Sequence, residues 1–383
     1  MQGLGFSRYY GLVSSAYSVY RLKSEFVGNW RYFHYLLRSA IYKWELQIRS
    51  KGVWLSRLQL SDTAFLDMPI IVPSAEDAAA IVRYLDHVDR RIRRYIRTKQ
   101  TLIKLLNEQK QIIIQQAVTS GLHPDAPRKD SGVEWLGEVP AHWEVIVVRR
   151  LISFITSGSR GWAEFYSDEG DIFIQSGNLG RSMALNLQRI QYVRTPPGTE
   201  GERTRVSKND ILVCVTGALT GNVVCVDTDL PPAYINQHVA LLRPKTMLIF
   251  PRFLAYALYS PYGQVQFKLT EYGGTKQGLG LDDVRDVIVA LPSLNEQIRI
   301  TVALDDELRN LTNTIQRIEG EISLIREYRT RLIADVVTGK LDVRTVAAQL
   351  PDEIDEPDVV EEIDEMTESD DDLAELSEEM SEE

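Results

Sequence analysis

The stretch that decides the fold runs from Ser74 to Val118 and reads SAEDAAAIVRYLDHVDRRIRRYIRTKQTLIKLLNEQKQIIIQQAV. It contains neither proline nor glycine, and its apolar side chains recur at steps of three, four and seven residues, which is the spacing of a coiled-coil seam. The seam positions are Leu85, Ile92, Ile96, Ile103, Leu106 and Ile113. We therefore predict a single helix of roughly 65 Å, longer than most globular domains are wide.

Charged residues interrupt this seam at Asp89, Lys99 and Lys110. We expect these three side chains to face the ends or the edge of a helix pair, or another subunit. The same helix carries a cationic run from Arg90 to Lys99. That run is as consistent with a solvated helix face as with a ridge that contacts phosphate.

The helix occurs a second time, 219 residues further along the chain, where Pro73-Ser74 recurs as Pro292-Ser293 and Val118-Thr119 as Val337-Thr338. A repeat held in one register over about fifty residues indicates two copies of one unit, a globular part followed by a long helix. We expect the two helices to pack antiparallel within the chain rather than as a homodimer zipper. The second seam comprises Leu304, Leu308, Leu311, Ile315, Ile318, Ile322, Ile325, Leu332 and Val336.

The repeat and the turn-forming residues divide the chain into six segments. These are a partial globular piece (1–73), the first long helix (74–120), a linker (121–134), a second globular region (135–292), the second long helix (293–338) and a C-terminal segment with an acidic, disordered tail (339–383). Within the two globular parts the patterns predict a strand region at Gly11–Lys23, a helix within Asn29–Trp44, strands at Asp171–Gln175, Asp210–Val215 and Asn222–Val226, and a short helix at Pro251–Ser260. The predicted fold class is α+β.

The net charge of −11 hides two regions of opposite sign. Residues 352–383 contain eighteen Asp or Glu and no Lys or Arg, so the remainder has 43 basic against 36 acidic residues, a net charge of +7. A basic body of this kind is moderate support for a nucleic-acid partner. We also hypothesise that the acidic tail competes with DNA for the basic body.

Composition and motifs exclude several classes of protein. The two cysteines, Cys214 and Cys225, are too few for a disulfide framework and have no zinc-ligand spacing, so we expect buried thiols in a reducing cytoplasm. No apolar run is long enough to span a membrane, and no signal pattern opens the chain. There is no HExxH, Walker or dinucleotide-binding motif, so we predict neither a catalytic site nor a metal or cofactor.

Four polar, glycine-containing loops carry side chains suited to base edges and phosphates, namely QSGNLGR (175–181), TGALTGN (216–222), YINQH (234–238) and YGGTKQ (272–277). Asn and Gln can make two hydrogen bonds to adenine, whereas Gly and Thr allow close approach of phosphate. Each loop taken alone is more often a plain turn. The candidate DNA-binding residues are Thr216, Asn222, Asn236, Gln237, Lys276 and Gln277.

Several segments, in order, resemble the DNA-specificity subunits of type I restriction–modification systems. They are DSGVEWLGEVPAHWEV (130–145), KNDILVCVTGALTGN (208–222), INQHVALLRPK (235–245), ALPSLNEQ (290–297) and the helix ends VTSG and VTGK. The resemblance implies two target-recognition domains, each reading one half of a split DNA site, separated by two long antiparallel spacer helices. It implies no activity of the chain itself.

The partners implied by the resemblance are double-stranded DNA, two modification (methyltransferase) subunits and restriction subunits. Relative to that family pattern, the first recognition domain is shorter by roughly a hundred residues. Either the chain is a fragment, a late-start product or a degenerate copy, or a second specificity chain supplies the missing part. The alternative function is a scaffold or oligomerisation protein, built on the long helices, that does not read DNA.

Overall fold

The computed structural model describes residues 4–7, 11–14, 17–52, 59–123, 125–158, 160–180, 183–196, 198–270 and 278–351. Its helices are α1 Trp30–Arg38, α2 Ala40–Arg49, α3 Asp62–Leu66, α4 Ala75–Ser120, α5 Val148–Leu151, α6 Thr199–Thr204, α7 Pro251–Tyr259, α8 Pro261–Thr270, α9 Leu281–Arg285, α10 Leu294–Val337 and α11 Arg344–Gln349. Its strands are β1 Arg128–Asp130, β2 Glu138–Pro140, β3 Glu144–Val147, β4 Ile152–Ser157, β5 Tyr166–Ser167, β6 Asp171–Ile174, β7 Gln191–Val193, β8 Ile211–Cys214, β9 Val223–Cys225, β10 Ala233–Ile235, β11 Val239–Pro244 and β12 Ile288–Leu291.

The chain divides into two compact units. Unit 1 comprises Met1–Arg97 and Glu321–Glu383, and unit 2 comprises Thr98–Gly320. Each unit contains one part of α4 and one part of α10. The predicted α+β class is confirmed, since long helices and short strands occur in the same chain.

Local sequence sets both ends of α4. The Ser74 hydroxyl accepts a hydrogen bond from the Asp77 backbone N–H (3.1 Å) and donates one to the Asp77 carboxylate (2.8 Å), as expected of an N-cap. The helix stops at Gly121, whose φ of 71° lies in the left-handed region that glycine adopts without strain. Gly339, with a φ of 74°, follows α10 in the same way.

The two long helices pair antiparallel within unit 1, as predicted. Asp89 contacts Arg329, and Tyr95 contacts Glu321. Residue numbers rise along α4 while those of the partners on α10 fall, so the helices are antiparallel. Leu85 and Ile92 of the first seam are buried. In unit 2, Lys110 of α4 donates to the Thr312 hydroxyl of α10 (3.1 Å).

The expectation for the seam interruption at Asp89 was wrong. Asp89 is 6% exposed and is held by two guanidiniums, with 2.5 Å to Arg329 Nε on the second helix and 2.7 Å to Arg93. It therefore acts within the helix pair, because a buried charge in a seam needs a partner. Lys110 is half-buried and donates to Thr312 of the second helix, which is compatible with the expected position at the edge of the pair.

Unit 1 has a helical core outside the long helices. Tyr32, Phe33 and Leu36 of α1 are buried against the first turns of α4 and the last turns of α10. The predicted strand at Gly11–Lys23 is not present in the described part of that range. The helix predicted within Asn29–Trp44 is two helices, α1 and α2, because the extended backbone of Ser39 separates them.

Unit 2 is built on a four-stranded antiparallel sheet in the order β4-β11-β8-β9. Successive side chains of β8 enter different cores, since residues of a strand alternate between the two faces of a sheet. Ile211 and Val213 join the core that contains α7, whereas Leu212 and Cys214 join the core that contains β6 and β10. The strands and the helix predicted from 171 to 260 are confirmed.

A second sheet, in the order β10-β6-β7-β5, lies beside the first, with β10 and β6 parallel. Two small antiparallel pairs, β1 with β2 and β12 with β3, complete the unit. Strand β1 falls inside the stretch whose composition predicts a linker. Its three residues are exposed, so its pairing with β2, rather than burial, accounts for the strand.

The segments that carry the family resemblance meet at the ends of the long helices in unit 2. Trp143 is fully buried, its indole N–H donates to Glu296 (3.2 Å), and a Cβ on Gly121 would stand 3.1 Å from its ring. The buried Gln297 side chain accepts from the Phe250 N–H (2.7 Å) and donates to the Pro292 carbonyl (2.8 Å). These residues fix the globular part of unit 2 to α10.

The repeat extends to a charged network in each unit. In unit 2, Asp305 of α10 binds Arg252 (2.8 Å) and Tyr256 (2.5 Å), both on α7. In unit 1, Asp86 of α4 binds the residues at equivalent positions of α1, with distances of 3.1 Å to Arg31 and 2.8 Å to Tyr35. In both units an Arg and a Tyr four residues apart clamp one helix onto the aspartate of the other.

Candidate nucleic-acid interface

One edge of the two sheets in unit 2 collects four loops, which we call the edge loops: 157–161, 175–180, 215–222 and 236–238. Strand β4 ends there and β11 begins there, because Ser157 pairs with Ala240. The Asn236 N–H donates to the Ile174 carbonyl (3.0 Å) and so joins the ends of the parallel strands β10 and β6. Loops distant in sequence thereby form one surface.

Gly158 allows two of the edge loops to approach closely. A Cβ at this position would lie 2.0 Å from the Ile235 carbonyl oxygen and 2.3 Å from that of Asn236. The Gly158 N–H donates to the same Asn236 oxygen (3.2 Å). Any side chain here would push the loops apart, because both opposing atoms belong to the backbone.

Two of the predicted residues are brought together around His238. Thr216 Oγ1 lies 2.8 Å from His238 Nδ1, and Gln237 Nε2 lies 3.2 Å from His238 Nε2. His238 therefore links Thr216 and Gln237 through its two ring nitrogens.

The other predicted residues have different placements. The Asn222 side chain donates to the Leu179 carbonyl (2.9 Å) and ties two edge loops together. Asn236 is 8% exposed, and its side-chain oxygen accepts the His238 N–H (3.0 Å). Both amides shape the loops through these bonds, whereas Gln237 is exposed. Lys276 and Gln277 lie outside the described residues.

The edge loops contain no Asp or Glu, and their cationic side chain is Arg160, which is exposed. At the opposite edge of the four-stranded sheet, the three aspartates next to β8 and β9 are ion-paired, Asp210 with Arg243, Asp227 with Arg252 and Asp229 with Lys208. The edge loops, by contrast, bring no carboxylate of their own, which suits a polyanion.

The buried thiols of this region are unreactive. Burial raises the pKa of Cys214 to about 11 and that of Cys225 to about 12. Both side chains pack in the two cores beside β8 and β9. Among the described residues no His, Cys, Asp and Glu groups are arranged to hold a metal ion, and no helix is both long and apolar enough to cross a membrane.

Residues 166–323, which include three of the four edge loops, match the family described as the type I restriction modification DNA specificity domain. This part of the chain is therefore similar to the DNA specificity domains of type I restriction–modification systems. The chain is 21% identical over 305 residues to the type I restriction enzyme MjaVIII specificity subunit of Methanocaldococcus jannaschii, an alignment that covers 79% of this chain and 68% of that one. The predicted resemblance to type I DNA-specificity subunits is thereby confirmed.

Further comparisons find similarity to the same kind of protein. The type I restriction enzyme EcoBI specificity subunit of Escherichia coli is 25% identical over 157 residues, or 41% of this chain and 33% of that subunit. A chain from a solved structure of the type I restriction–modification system is 19% identical, with a TM-score of 0.58, and the match covers 81% of this chain and 71% of the other. That likeness supports the fold.

Sequence reasoning missed three residues of the edge loops. Gly158 and Arg160 lie in the run SGSRG directly after β4, and His238 lies within a loop that was recognised as polar. Glycine next to an isolated arginine after the short apolar run that precedes it was a usable signal for a phosphate-facing turn. Nothing in the sequence places His238 between Thr216 and Gln237, because that contact joins residues of separate loops.

Proposed function

We propose that this chain reads one half of a split DNA site through the edge loops of unit 2 and carries the catalytic subunits of a type I restriction–modification complex. The observation that supports this most directly is the lack of Asp and Glu in the edge loops, three of which lie inside the region matching a DNA-specificity domain. A surface that accepts DNA phosphates must be free of competing anions, and its exposed amide and cationic groups must reach base edges.

Within this proposal the edge residues have separate tasks. Gln237, exposed at the tip of its loop, contacts a base edge, and its bond to His238 limits the rotamers it must lose on binding. Arg160 contacts a phosphate. Thr216 holds His238, while Asn222 and Asn236 fix the loops. Lys276 and Gln277 stay as predicted DNA contacts.

We assign the modification subunits to the outer face of α4 in unit 2. Leu102, Leu105 and Ile112 lie on one face of the helix and are 40%, 56% and 56% exposed. Three large apolar groups on one exposed face are typical of a protein interface. We propose two modification subunits per chain together with restriction subunits, in the cytoplasm, and we keep residues 1–73 and 135–292 as the two recognition regions.

The assignment predicts that replacing Leu105 and Ile112 together by Glu abolishes co-purification with the modification subunit. Two buried charges would cost several kcal/mol at an apolar interface. The matched control is the pair Gln100→Glu and Asn107→Glu, which adds the same charge to exposed positions on a different face of the same helix segment. Loss of the complex in both pairs would contradict the assignment.

Selection from random duplexes tests the recognition function. The purified chain, together with its modification subunit, is incubated with a pool of random double-stranded DNA, and the bound fraction is sequenced. We expect enrichment of a defined motif. A flat profile with salt-sensitive affinity would instead support the alternative, a scaffold that binds DNA without reading it.

A further inference from the structure

Residues 70–72 of unit 1 are the repeat counterpart of residues 289–291 in strand β12 of unit 2, because each run directly precedes the Pro-Ser pair before a long helix. In unit 2 one edge of this segment is covered, since β12 pairs antiparallel with β3 over four residues. In unit 1 no strand of the described residues pairs with residues 70–72. The β3–β12 interface of unit 2 therefore shows what covers this segment when it is covered.

The other edge of both segments is held by a helix of the globular part. Gln266 of α8 accepts from the Ile288 N–H (2.8 Å) and donates to the Ile288 carbonyl (3.0 Å). In unit 1, Tyr42 of α2 donates to the Pro69 carbonyl (3.1 Å) and accepts from the Ile71 N–H (3.2 Å). Pro69 precedes Ile288 by the repeat distance of 219 residues. The two segments thus turn the same edge towards their helices.

The outer edge of residues 70–72 carries open backbone groups. Tyr42 contacts residues 69 and 71, so alternate residues face α2 as they would in a strand, and Ile70 and Val72 face away from it. Val72 precedes Pro73, which favours an extended backbone. Among the described residues, the N–H and C=O groups of Ile70 and Val72 have no hydrogen-bond partner. An open edge of this kind is a template for another strand.

The side chains of this segment are apolar and uncovered. Ile70, Ile71 and Val72 are 46%, 43% and 46% exposed, whereas Val289 and Ala290, beside β3 in unit 2, are 4% and 3% exposed. Three consecutive β-branched residues are typical of a strand. Their exposure next to open backbone groups indicates a surface that another strand covers.

A second feature of the β3 contact is also open in unit 1. Trp143 directly precedes β3, and its indole N–H donates to Glu296 (3.2 Å), while a Cβ on Gly121 at the end of α4 would stand 3.1 Å from its ring. Gly339 follows α10 in the same left-handed conformation, and no described atom lies within 4 Å of a Cβ built there. Asp77 occupies the repeat position of Glu296, and its side chain is 38% exposed. Unit 1 therefore offers space and an acceptor for an aromatic anchor.

We propose that residues 70–72 receive an antiparallel strand from a partner polypeptide and that this strand resembles β3. The partner segment begins with a tryptophan, which packs over Gly339 and donates to Asp77, and continues with β-branched residues. The chain's own β3 is already paired with β12, and the strands of the described residues all lie in unit 2. The inference rests on the repeat of the fold and not on the proposed reading of DNA, so each can fail without the other.

A peptide with the sequence of residues 141–148, AHWEVIVV, reproduces β3 with its tryptophan and serves as the probe. The fluorescein-labelled peptide is titrated with the full chain, and fluorescence anisotropy reports binding. We expect saturable binding with a Kd on the order of 100 µM, as suits a short strand added to one edge. A peptide that carries Trp143→Ala should bind several-fold more weakly, because it lacks the aromatic anchor.

Variants of the chain locate the binding site and its mode. I70K/V72K places two charges on the open edge and should weaken peptide binding about tenfold or more. The matched control is W44K/I48K, which adds the same charges at similarly exposed apolar positions, on the face of α2 away from Tyr42, and should bind as the unmodified chain does. V72P removes one outward N–H and should weaken binding about fivefold, whereas V72A keeps that N–H and should weaken it less.

Far-UV circular dichroism checks that each variant keeps its helices. Absence of saturable binding, or binding that is unchanged in I70K/V72K, would overturn the proposal, since in the second case the peptide would be exchanging with β3 in unit 2. Equal losses in V72P and V72A would overturn strand pairing. Sedimentation tests a second copy of the chain as the occupant, and a dimer that I70K/V72K dissociates but the peptide does not would also overturn the proposal.

Discussion

Asp89 is a buried charge whose removal has a calculable consequence. Replacing it by Asn leaves Arg329 and Arg93 without their counter-ion in the helix seam, and we expect a loss of about 2 kcal/mol in the free energy of unfolding, less than the full cost of a completely buried pair because both arginines are partly exposed. Urea unfolding followed by circular dichroism measures it. Asp306→Ala, which breaks an exposed ion pair with Arg309, should cost less than about 0.5 kcal/mol.

Asp89 also predicts how the stability of the folded chain depends on pH. Burial alone raises the pKa of Asp89, but the guanidiniums of Arg329 and Arg93 outweigh it and hold the pKa below its ordinary value of 3.8. The stabilisation is therefore complete above that ordinary value and is lost as pH falls through the lowered pKa of the folded state. The difference in stability between the unmodified chain and Asp89→Asn should stay constant above about pH 5 and shrink below 3.8. A difference that grows on acidification would contradict this account.

Gln237 is the exposed amide of the edge loops, so its replacement separates recognition from simple attraction. Gln237→Ala in the complex with the modification subunit should relax the preference for one base pair by about 1–3 kcal/mol while leaving the salt dependence of binding unchanged. Competition between the selected duplex and single-base variants of it measures the change. Gln316→Ala, at an exposed position of α10, is the control, and an equal loss in both variants would remove Gln237 from the interface.

The two Arg–Tyr–Asp networks are the element-scale counterpart of the sequence repeat. Tyr256→Phe and Tyr35→Phe each remove a hydrogen bond to an aspartate that attaches a domain helix to a long helix, and each should lower the free energy of unfolding by about 1–2 kcal/mol. Tyr328→Phe, whose ring is 54% exposed, should change it by less than about 0.5 kcal/mol. A large loss for only one of the two buried tyrosines would show that the networks are not equivalent.

Elements with strong local signals could be predicted from sequence. The 3.5-residue periodicity, the cap at Ser74 and the glycine at 121 are properties of neighbouring residues, so the bounds of α4 followed directly. The failures share one cause, which is dependence on a distant partner. Strand β1 exists through its pairing with β2, and residues 11–23 contain alternation but have no partner strand in the described part of the chain.

The candidate site was predictable in composition but not in geometry. The polar loops around Thr216 and Gln237 were found because their residue types suit base edges and phosphates. The loop-fixing hydrogen bonds of Asn222 and Asn236 were not predicted, since each depends on an acceptor or donor in another residue of the fold. The charge at Asp89 was misread for the same reason, because Arg329 lies 240 residues away in sequence.

At the scale of the whole molecule, the contrast between basic residues 1–351 and acidic residues 352–383 leads to a prediction about DNA binding. Deleting residues 352–383 removes eighteen carboxylates and leaves a chain with a net charge of +7. We expect the truncated chain, in complex with its modification subunit, to bind a random duplex several-fold more tightly than the full chain at about 50 mM salt, with the two affinities converging at about 500 mM. Fluorescence anisotropy over a salt series measures both affinities.

The control for that deletion keeps the length of the chain and removes only its charge, by replacing every Asp and Glu of residues 352–383 with Asn and Gln. If the acidic segment acts through charge, this variant should bind the random duplex as the deletion does, because what competes with phosphate is the carboxylates and not the bulk of the segment. If instead it binds as weakly as the full chain, the segment acts by excluded volume. Unchanged affinity in both variants at low salt would mean that the acidic segment does not oppose DNA at all.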